Sequence, residues 1–338
     1  METSESRQPK RLDRTPRVFV TRHLMRSVEE RMGELFEVEL NPEDSPLTRD
    51  QLVAAMQNCD VLVPTVTDRI DARMIAAAGA NLGLIANFGA GTEHLDLDAA
   101  AARHILVTNT PGVFTDDTAD LTMAGIIGVP RRIREGVELI RSGKWTGWTP
   151  TALLGTKLAG KVLGIVGMGR IGQAVAHRAR AFGLKIAYHN RKRLPEAVER
   201  MFHARWVDSL DELMSEADIL TLHCPAGPGT HHMIDTRRIG LMKDGASLIN
   251  TARGDLVDQQ ALISALESGK LAGAGLDVYP DEPNVDRRLI RHPNVMTLPH
   301  IGSATREGRE ESGLKVITNI RMWADGHRPP DQVLAGLG

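Results

Sequence analysis

Short apolar, β-branched runs alternate with helix-like segments along almost the whole chain. In the first part the predicted strands are Arg17–Thr21, Val61–Pro64, Leu82–Phe88 and Ile105–Asn109. From Lys161 the alternation restarts with the runs KVLGIVG, KIAYHN, DILTLHC, SLINTA, AGAGLDVY and NVMTLPH. Apolar strands separated by amphipathic helices form parallel sheets that are covered on both faces. The pattern therefore predicts an α/β protein with two parallel-sheet domains, each Rossmann-like or flavodoxin-like.

Two helical segments set the expected domain boundaries. The first runs from about Asp116 to Ser142 and links the two α/β units, and the second runs from about Ser303 to Ala324, after the last strand. The second helix is placed to return to the first unit, which would make that domain discontinuous. With 338 residues the chain is long enough for two domains, and we expect residues 17–113 plus 303–338 to form one and residues 114–302 the other.

Composition argues against several classes of partner. The formal net charge is −2, whereas nucleic acids and anionic membranes are bound mainly by clustered cations. Cys59, Cys224 and the histidines show no disulfide framework or metal-ligand spacing. No apolar run approaches the ~18 residues that cross a bilayer, and the polar start through Pro16 is not a secretory signal. We expect a cytoplasmic protein without a metal, with residues 1–16 as a flexible tail.

The segment GMGRIG, Gly167–Gly172, has the glycine spacing of a dinucleotide-binding loop. It directly follows a predicted strand and opens a predicted helix, the context that gives this spacing its meaning. Gly167 permits the tight turn, Gly169 lets the backbone approach a pyrophosphate, and Gly172 allows close packing of helix on strand. The amides of the helix N-terminus would bind the phosphates. This loop predicts a nicotinamide dinucleotide as cofactor.

The stretch AYHNRKR, Ala187–Arg193, bears on which nicotinamide cofactor is used. Asn190 stands 18 residues beyond Gly172, close to the ~20 at which an acid would bind the ribose 2′-hydroxyl of NAD. A carboxylate would repel a 2′-phosphate, whereas Asn190 does not, and Arg191 and Lys192 can pair with that phosphate. Arg193 is the less certain third cation. The stretch predicts a preference for NADPH over NADH, against the alternative of a solvated turn.

Three segments of the second half each carry one reactive side chain: NTARGDLVD with Arg253, GLDVYPDEP with Glu282 and LPHIGSAT with His300. With NFGAGTEHLDLD, NTPGVFTDDTADLT and LGIVGMGRIGQAVAHRARAFG they stand in the order found in one family. The chain resembles the D-isomer-specific 2-hydroxyacid dehydrogenases, most closely their glyoxylate/hydroxypyruvate reductase branch. The resemblance runs from about Val18 to the C-terminal helix. It implies an active site in a cleft between a substrate-binding and a dinucleotide-binding domain.

The resemblance implies that Arg253, Glu282 and His300 are the catalytic residues. A guanidinium anchors the carboxylate of a 2-oxo acid with two parallel hydrogen bonds. Hydride arriving at the carbonyl carbon places negative charge on the oxygen, so a proton donor is needed there, and His300 supplies it. A neighbouring carboxylate favours the imidazolium, which gives Glu282 its role. The expected reaction is reduction of glyoxylate or hydroxypyruvate to glycolate or D-glycerate.

The same resemblance implies further contacts. Substrate is expected at the loop Phe88, Gly89, Ala90 and Gly91, where backbone amides would form a carboxylate nest, and at Trp148 from a partner subunit. Cofactor is expected at the residues Thr118, Gly167, Gly169, Arg170, Ile171, Gly172, Asn190, Arg191, Lys192, Cys224, Pro225, Thr230, Thr251, Ala252, Asp277 and Gly302. Residues near 116–155 would form a dimerisation arm, so a homodimer is expected.

Other functions remain open from the sequence. Within the family, the alternatives are phosphoglycerate dehydrogenase, which typically has an acid after the second strand of the dinucleotide-binding domain, and D-lactate dehydrogenase. Formate dehydrogenase shares the fold but has glutamine where this chain has Glu282, so Glu282 argues against that activity. A dinucleotide-sensing scaffold of the corepressor type can retain all three catalytic residues, although such proteins tend to have long disordered extensions.

Overall fold

A computed structural model describes residues 11–334, which form two compact units. The first unit comprises the chain up to Phe114 together with the segment from Ala304 onward. The second unit is Thr115–Ser303.

The first unit is a five-stranded, all-parallel sheet with the strand order β2-β1-β3-β4-β5. Its strands are β1 (Arg17–Val20), β2 (Glu37–Leu40), β3 (Val61–Val63), β4 (Leu84–Ala86) and β5 (Leu106–Thr108). Its helices are α1 (Arg26–Leu35), α2 (Arg49–Asn58), α3 (Ala72–Ala77), α4 (Leu97–Ala102) and, from the end of the chain, α13 (Arg306–Ala324). Apolar side chains are buried on both faces of this sheet, as its continuous apolar strands require.

The second unit is a seven-stranded, all-parallel sheet with the order β12-β11-β10-β9-β6-β7-β8. Its strands are β6 (Val162–Val166), β7 (Lys185–His189), β8 (Ala204–Trp206), β9 (Ile219–Leu222), β10 (Ala246–Asn250), β11 (Leu271–Leu276) and β12 (Val295–Thr297). Its helices are α5 (Thr115–Gly128), α6 (Ile133–Arg141), α7 (Arg170–Ala181), α8 (Glu196–Phe202), α9 (Leu210–Glu216), α10 (Thr236–Leu241), α11 (Gln259–Glu267), α12 (Arg287–Arg291) and the 3-10 turn Gly254–Leu256. The expected pair of parallel-sheet α/β domains is confirmed.

The structure corrects some of the predicted elements. The helix expected from about Asp116 to Ser142 is two helices, because the chain turns at Pro130 and Arg132 has a left-handed backbone with φ of 54°. The last helix begins at Arg306, three residues later than expected, with the Thr305 side chain accepting from the Gly308 amide as its N-cap. The strands β2 and β8 were not predicted. Both are short edge strands with few buried side chains, so their apolar pattern is weak.

The expectation of a flexible tail through Pro16 is wrong for residues 11–16. Residues 1–10 lie outside the described residues. Within the next six, the Leu12 amide donates to the Ala324 carbonyl at 2.9 Å, and Arg14 makes a two-pronged ion pair with the buried Asp60 at 2.6 and 2.7 Å. Residues 11–16 therefore pack on the first unit.

Candidate active site

The candidate site of the second unit lies at the carboxyl edge of its sheet. From β6 the chain proceeds outward to β7 and β8, then returns to β9 and proceeds the other way to β12. The two loops that leave β6 and β9 therefore diverge, and such a switch point opens a crevice at the carboxyl ends of the strands. The glycine loop follows β6, and Cys224 closely follows β9. A crevice at this place in the sheet suits a dinucleotide.

Each glycine of the Gly167–Gly172 loop has its own physical reason. Gly167 has φ of 92°, and a Cβ there would lie 2.7 Å from the Cys224 amide nitrogen, so the loops after β6 and β9 touch at this residue. A Cβ at Gly172 would lie 2.5 Å from the Gly167 carbonyl oxygen, which forces close packing of α7. At Gly169 a Cβ would meet nothing within 4 Å. That open space beside a helix N-terminus fits a pyrophosphate.

Residues 190–195, here called the ribose loop, follow β7. The Asn190 side chain accepts a hydrogen bond from the Met168 amide at 2.7 Å and so joins this loop to the glycine loop. Arg191 and Lys192 are exposed and make no hydrogen bond or ion pair with any described residue. Arg193 instead pairs with Glu199 on α8 at 2.7 Å. Two of the three cations thus lack a protein partner within residues 11–334.

Cys224 and Thr230 occupy the loop after β9. Burial raises the pKa of the Cys224 thiol to about 11, against the opposing charge of Arg191. Its Sγ lies 3.6 Å from the Met233 sulfur. A half-buried thiol that stays protonated is a wall rather than a nucleophile. The Thr230 hydroxyl donates to the carbonyls of Pro225 at 2.9 Å and Gly227 at 3.2 Å, so it shapes its own loop.

Arg253 is held in a tight turn after β10. The buried Asn250 side chain donates to the Arg253 carbonyl at 2.8 Å and accepts from the Ala252 amide at 3.0 Å. The next residue is Gly254, where a Cβ would lie 2.0 Å from the carbonyl carbon of Tyr279. Only glycine allows this contact, which presses the Arg253 turn against the loop after β11.

His300 and Glu282 form the central pair of the site. The His300 Nδ1 lies 2.7 Å from Glu282 Oε2, and Glu282 Oε1 accepts from the Tyr279 amide at 2.9 Å. Burial acts to raise the pKa of Glu282, but the hydrogen bonds from His300 and Tyr279 and the charge of Arg253 outweigh it and lower that pKa. Glu282 is therefore a carboxylate near neutral pH, fixed on one nitrogen of the imidazole.

Asp277 holds the backbone on which His300 is carried. It is 1% exposed, and its carboxylate accepts from the amides of Ile301 at 2.8 Å and Gly302 at 2.7 Å. Burial raises the pKa of Asp277, partly offset by these amides. His300 itself has a left-handed backbone with φ of 55°, a conformation that costs about 1–2 kcal/mol for a residue with a side chain. Asp277 stabilises this strained turn.

Thr118 and Thr251 are linked through Thr122. The Thr118 hydroxyl donates to the Gly302 carbonyl at 3.1 Å, while the Thr122 hydroxyl donates to the Thr118 carbonyl and lies 2.7 Å from the Thr251 hydroxyl. These contacts join α5 to the loops that carry Arg253 and His300. The hydroxyl of Thr118 is thus occupied by the protein.

In the first unit the predicted substrate loop is held through its carbonyl groups. The Asn87 side chain donates to the carbonyls of Gly89 and Gly91 at 3.1 and 2.9 Å, and the Asn109 side chain donates to the Ala90 carbonyl at 2.7 Å. Within the described chain the amides of Ala90 and Gly91 have no hydrogen-bond partner. Phe88 is buried in the core of this unit. Its side chain anchors the loop.

The segment expected to form a dimer arm carries several large apolar side chains that are exposed. Along α6, the side chains of Ile133, Val137 and Ile140 are exposed, and the side chains of Trp145, Leu154 and Trp148 follow, the last 82% exposed. On the same helix Arg134 donates to the carbonyls of Ile290, His292 and Val295. The helix is thus fixed to its own unit by a cation and presents its apolar side to water.

Sequence reasoning missed the side chains that hold the site. Asn250, Asn87 and Asn109 each open one of the motifs quoted above, but the motifs do not show that these side chains hold neighbouring backbone. Glu199, which pairs with Arg193, stands in none of those motifs. Among residues 11–334, no helix is long and apolar enough to cross a membrane, and no three His, Cys, Asp or Glu side chains converge to hold a metal ion.

Similarity to known proteins extends over almost the whole chain. Residues 123–302 match the family described as D-isomer specific 2-hydroxyacid dehydrogenase, NAD binding domain. A glyoxylate reductase of Thermococcus litoralis is 44% identical over 322 residues, which cover 94% of this chain and 96% of that protein. A crystal structure of a Thermus thermophilus protein matches with a TM-score of 0.87 and 44% identity, over 94% of this chain and 100% of the other.

A further crystal structure resembles this chain at lower identity. It is an NADPH-dependent glyoxylate/hydroxypyruvate reductase from Sinorhizobium meliloti in complex with NADP and malonate, with a TM-score of 0.84 and 31% identity. The match covers 95% of this chain and 97% of that one.

Proposed function

The chain belongs to the D-isomer-specific 2-hydroxyacid dehydrogenase family, and we propose that it is an NADPH-preferring reductase of glyoxylate or hydroxypyruvate. The family expected from the sequence motifs is confirmed by the match of residues 123–302 and by the full-length similarity to a glyoxylate reductase. The observation that carries the chemistry is the His300–Glu282 pair at 2.7 Å, with the Arg253 turn pressed against the same loop by Gly254.

Substrate binding is assigned to groups that suit a 2-oxo carboxylate. The guanidinium of Arg253 provides two parallel donors for the carboxylate, which orients the substrate in its plane. The amides of Ala90 and Gly91, which have no hydrogen-bond partner among residues 11–334, offer a nest for a carboxylate. Because the carbonyls of this loop are held by asparagine side chains, its donors are ordered before substrate arrives.

Proton transfer is assigned to His300. Glu282 holds the Nδ1 side of the ring, so Nε2 is the nitrogen that faces the substrate oxygen. NADPH, when bound, supplies the hydride. As negative charge develops on the carbonyl oxygen, the imidazolium donates its Nε2 proton, and the Glu282 carboxylate stabilises that imidazolium beforehand. In the reverse direction neutral His300 takes the hydroxyl proton.

The NADPH preference rests on the ribose loop. Asn190 accepts the Met168 amide through an oxygen, as an aspartate would, but adds no negative charge. Beside it, Arg191 and Lys192 pair with no residue in the described part of the chain, and the charge of Arg191 reaches the Cys224 thiol on the loop after β9. A 2′-phosphate would therefore meet two cations and no carboxylate. The S. meliloti relative is also described as NADPH-dependent.

A homodimer is proposed on the exposed apolar side of α6 and the following segment. A side chain as large as Trp148, 82% exposed and near Trp145, is typical of an interface rather than of a monomer surface. The partner's Trp148 would then contact substrate, as the family resemblance implies. The cytoplasmic location expected from the sequence stays a prediction.

A turnover assay tests the function. Purified protein should oxidise NADPH when glyoxylate or hydroxypyruvate is added, with a lower kcat/KM for NADH. No oxidation of either cofactor with any small 2-oxo acid would contradict the enzyme proposal and favour a dinucleotide-sensing scaffold. Higher activity with pyruvate or with 3-phosphohydroxypyruvate would instead indicate the D-lactate or phosphoglycerate alternative.

A further inference from the structure

Arg193 differs from its two neighbours in the ribose loop. Its guanidinium makes a two-pronged ion pair with Glu199, Nε to Oε1 at 2.9 Å and Nη2 to Oε2 at 2.7 Å. Its Cζ also lies 5.4 Å from the centre of the Trp206 ring, a cation–π contact. The Nε and Nη2 donors of Arg193 are thus turned toward α8, and its guanidinium also contacts a side chain of β8.

Glu199 connects this pair to the sheet. The buried Tyr188 on β7 donates its hydroxyl to Glu199 Oε1 at 2.7 Å and accepts from the Leu194 amide at 3.0 Å. Hydrogen bonds from Arg193 and then Tyr188 lower the pKa of Glu199 to about 2, so it is ionised at any physiological pH. The ribose loop is therefore fixed at its far end by two adjacent residues, Arg193 and Leu194.

The near end of the loop is fixed as well, because Asn190 accepts from the Met168 amide at 2.7 Å. Only Arg191 and Lys192 stand between the two fixed points. Two residues between fixed ends have few backbone conformations available, and ordered donors bind an anion with less loss of entropy than mobile ones.

We propose that Arg193, Glu199 and Tyr188 form a lock that positions the ribose loop, so that Arg193 sets the cofactor preference without touching the 2′-phosphate. This inference rests on the NADPH preference proposed above. The competing role for Arg193 is a third direct phosphate ligand. The two roles make opposite predictions for Glu199. The lock requires Glu199, because Glu199 holds Arg193 in place. If Arg193 bound the 2′-phosphate directly, Glu199 would compete with that phosphate for the guanidinium.

A double-mutant cycle separates these roles. We expect Arg193→Ala and Glu199→Gln each to lower the ratio of kcat/KM for NADPH over NADH by about threefold to tenfold. The double variant should lower this ratio no further, because both substitutions remove the same contact. Arg200→Ala, on the same helix, is the control and should leave the ratio unchanged, because Arg200 forms an ion pair with the exposed Glu196 and not with Glu199. A ratio that falls in Arg193→Ala but holds or rises in Glu199→Gln would overturn the lock.

Hydrogen exchange of the Leu194 amide gives a second readout that needs no cofactor. We expect faster exchange in Arg193→Ala, Glu199→Gln and Tyr188→Phe, since each loosens the contact that protects this amide. Unchanged exchange in all three would contradict the lock. A wild-type enzyme that does not prefer NADPH would overturn the proposed cofactor instead, so the two failures are distinguishable.

Discussion

The loops that carry the catalytic residues and the ribose loop are held by different kinds of contact. Around Arg253 and His300 the backbone itself is packed: Gly254 has no room for a Cβ beside Tyr279, and Asp277 accepts two amides while 1% exposed. In the ribose loop, Arg191 and Lys192 extend into solvent. Substitutions should therefore affect catalysis steeply and cofactor preference gradually.

The largest effect is expected at the proton donor. His300→Ala should lower kcat about 10²–10⁴-fold, the usual contribution of general acid catalysis, because Glu282 lies behind the ring and cannot deliver a proton to the substrate oxygen. Steady-state kinetics and NADPH binding by fluorescence check this. Cofactor affinity should be retained, and unchanged turnover would place the proton donor elsewhere.

A substitution that adds only a methyl group tests the packing of the catalytic loops. In Gly254→Ala the new Cβ would lie 2.0 Å from the Tyr279 carbonyl carbon, so backbone must move. We expect about 1–3 kcal/mol lower free energy of unfolding and about 10²-fold lower kcat/KM, since Arg253 shifts with the turn. Gly240→Ala in α10 is the control, because its Cβ meets nothing within 4 Å. Equal unfolding and kinetics in the two variants would contradict the packing.

The charge of Glu282 makes a smaller, pH-dependent contribution to kcat. Its pKa lies below the usual carboxyl range, so the carboxylate stays charged as pH falls from neutral and loses its charge only below that range. Reductive kcat should therefore hold from pH 7 to about pH 5. Glu282→Gln should lower kcat about tenfold, because a charge-assisted hydrogen bond is worth about 1.5 kcal/mol more than a neutral one. A wild-type rate that collapses between pH 6 and about pH 5 would refute this.

The smallest effect is expected in the ribose loop. Arg191→Ala should lower kcat/KM for NADPH about fivefold and leave NADH unchanged, since an ion pair in solvent contributes about 1 kcal/mol. Lys185→Ala, at the opposite end of β7, is the control. An equal loss with both cofactors would show that Arg191 supports the fold and not the phosphate.

The sequence predicted the motifs better than the contacts that hold them. Strands with continuous apolar runs and loops with glycine signatures were found, because local pattern determines them. The break at Pro130–Arg132 was missed although a proline is a local signal that ends a helix. The edge strand β2, with its alternating exposed residues, was missed because its pairing with β1 determines it. Glu199 lies six residues from Arg193, and Gly254 touches Tyr279 across two strands. No local pattern encodes such pairs.

Asn190 tests the proposed preference for NADPH most directly, because one heavy atom distinguishes its side chain from that of aspartate. Asn190→Asp keeps the oxygen that accepts the Met168 amide and adds a negative charge where a 2′-phosphate would bind. With glyoxylate as substrate, the ratio of kcat/KM for NADPH over NADH should exceed one in the wild type and fall below one in Asn190→Asp, with the NADH kcat preserved. A ratio that is the same in both proteins would contradict the proposal that the ribose loop determines the preference for NADPH.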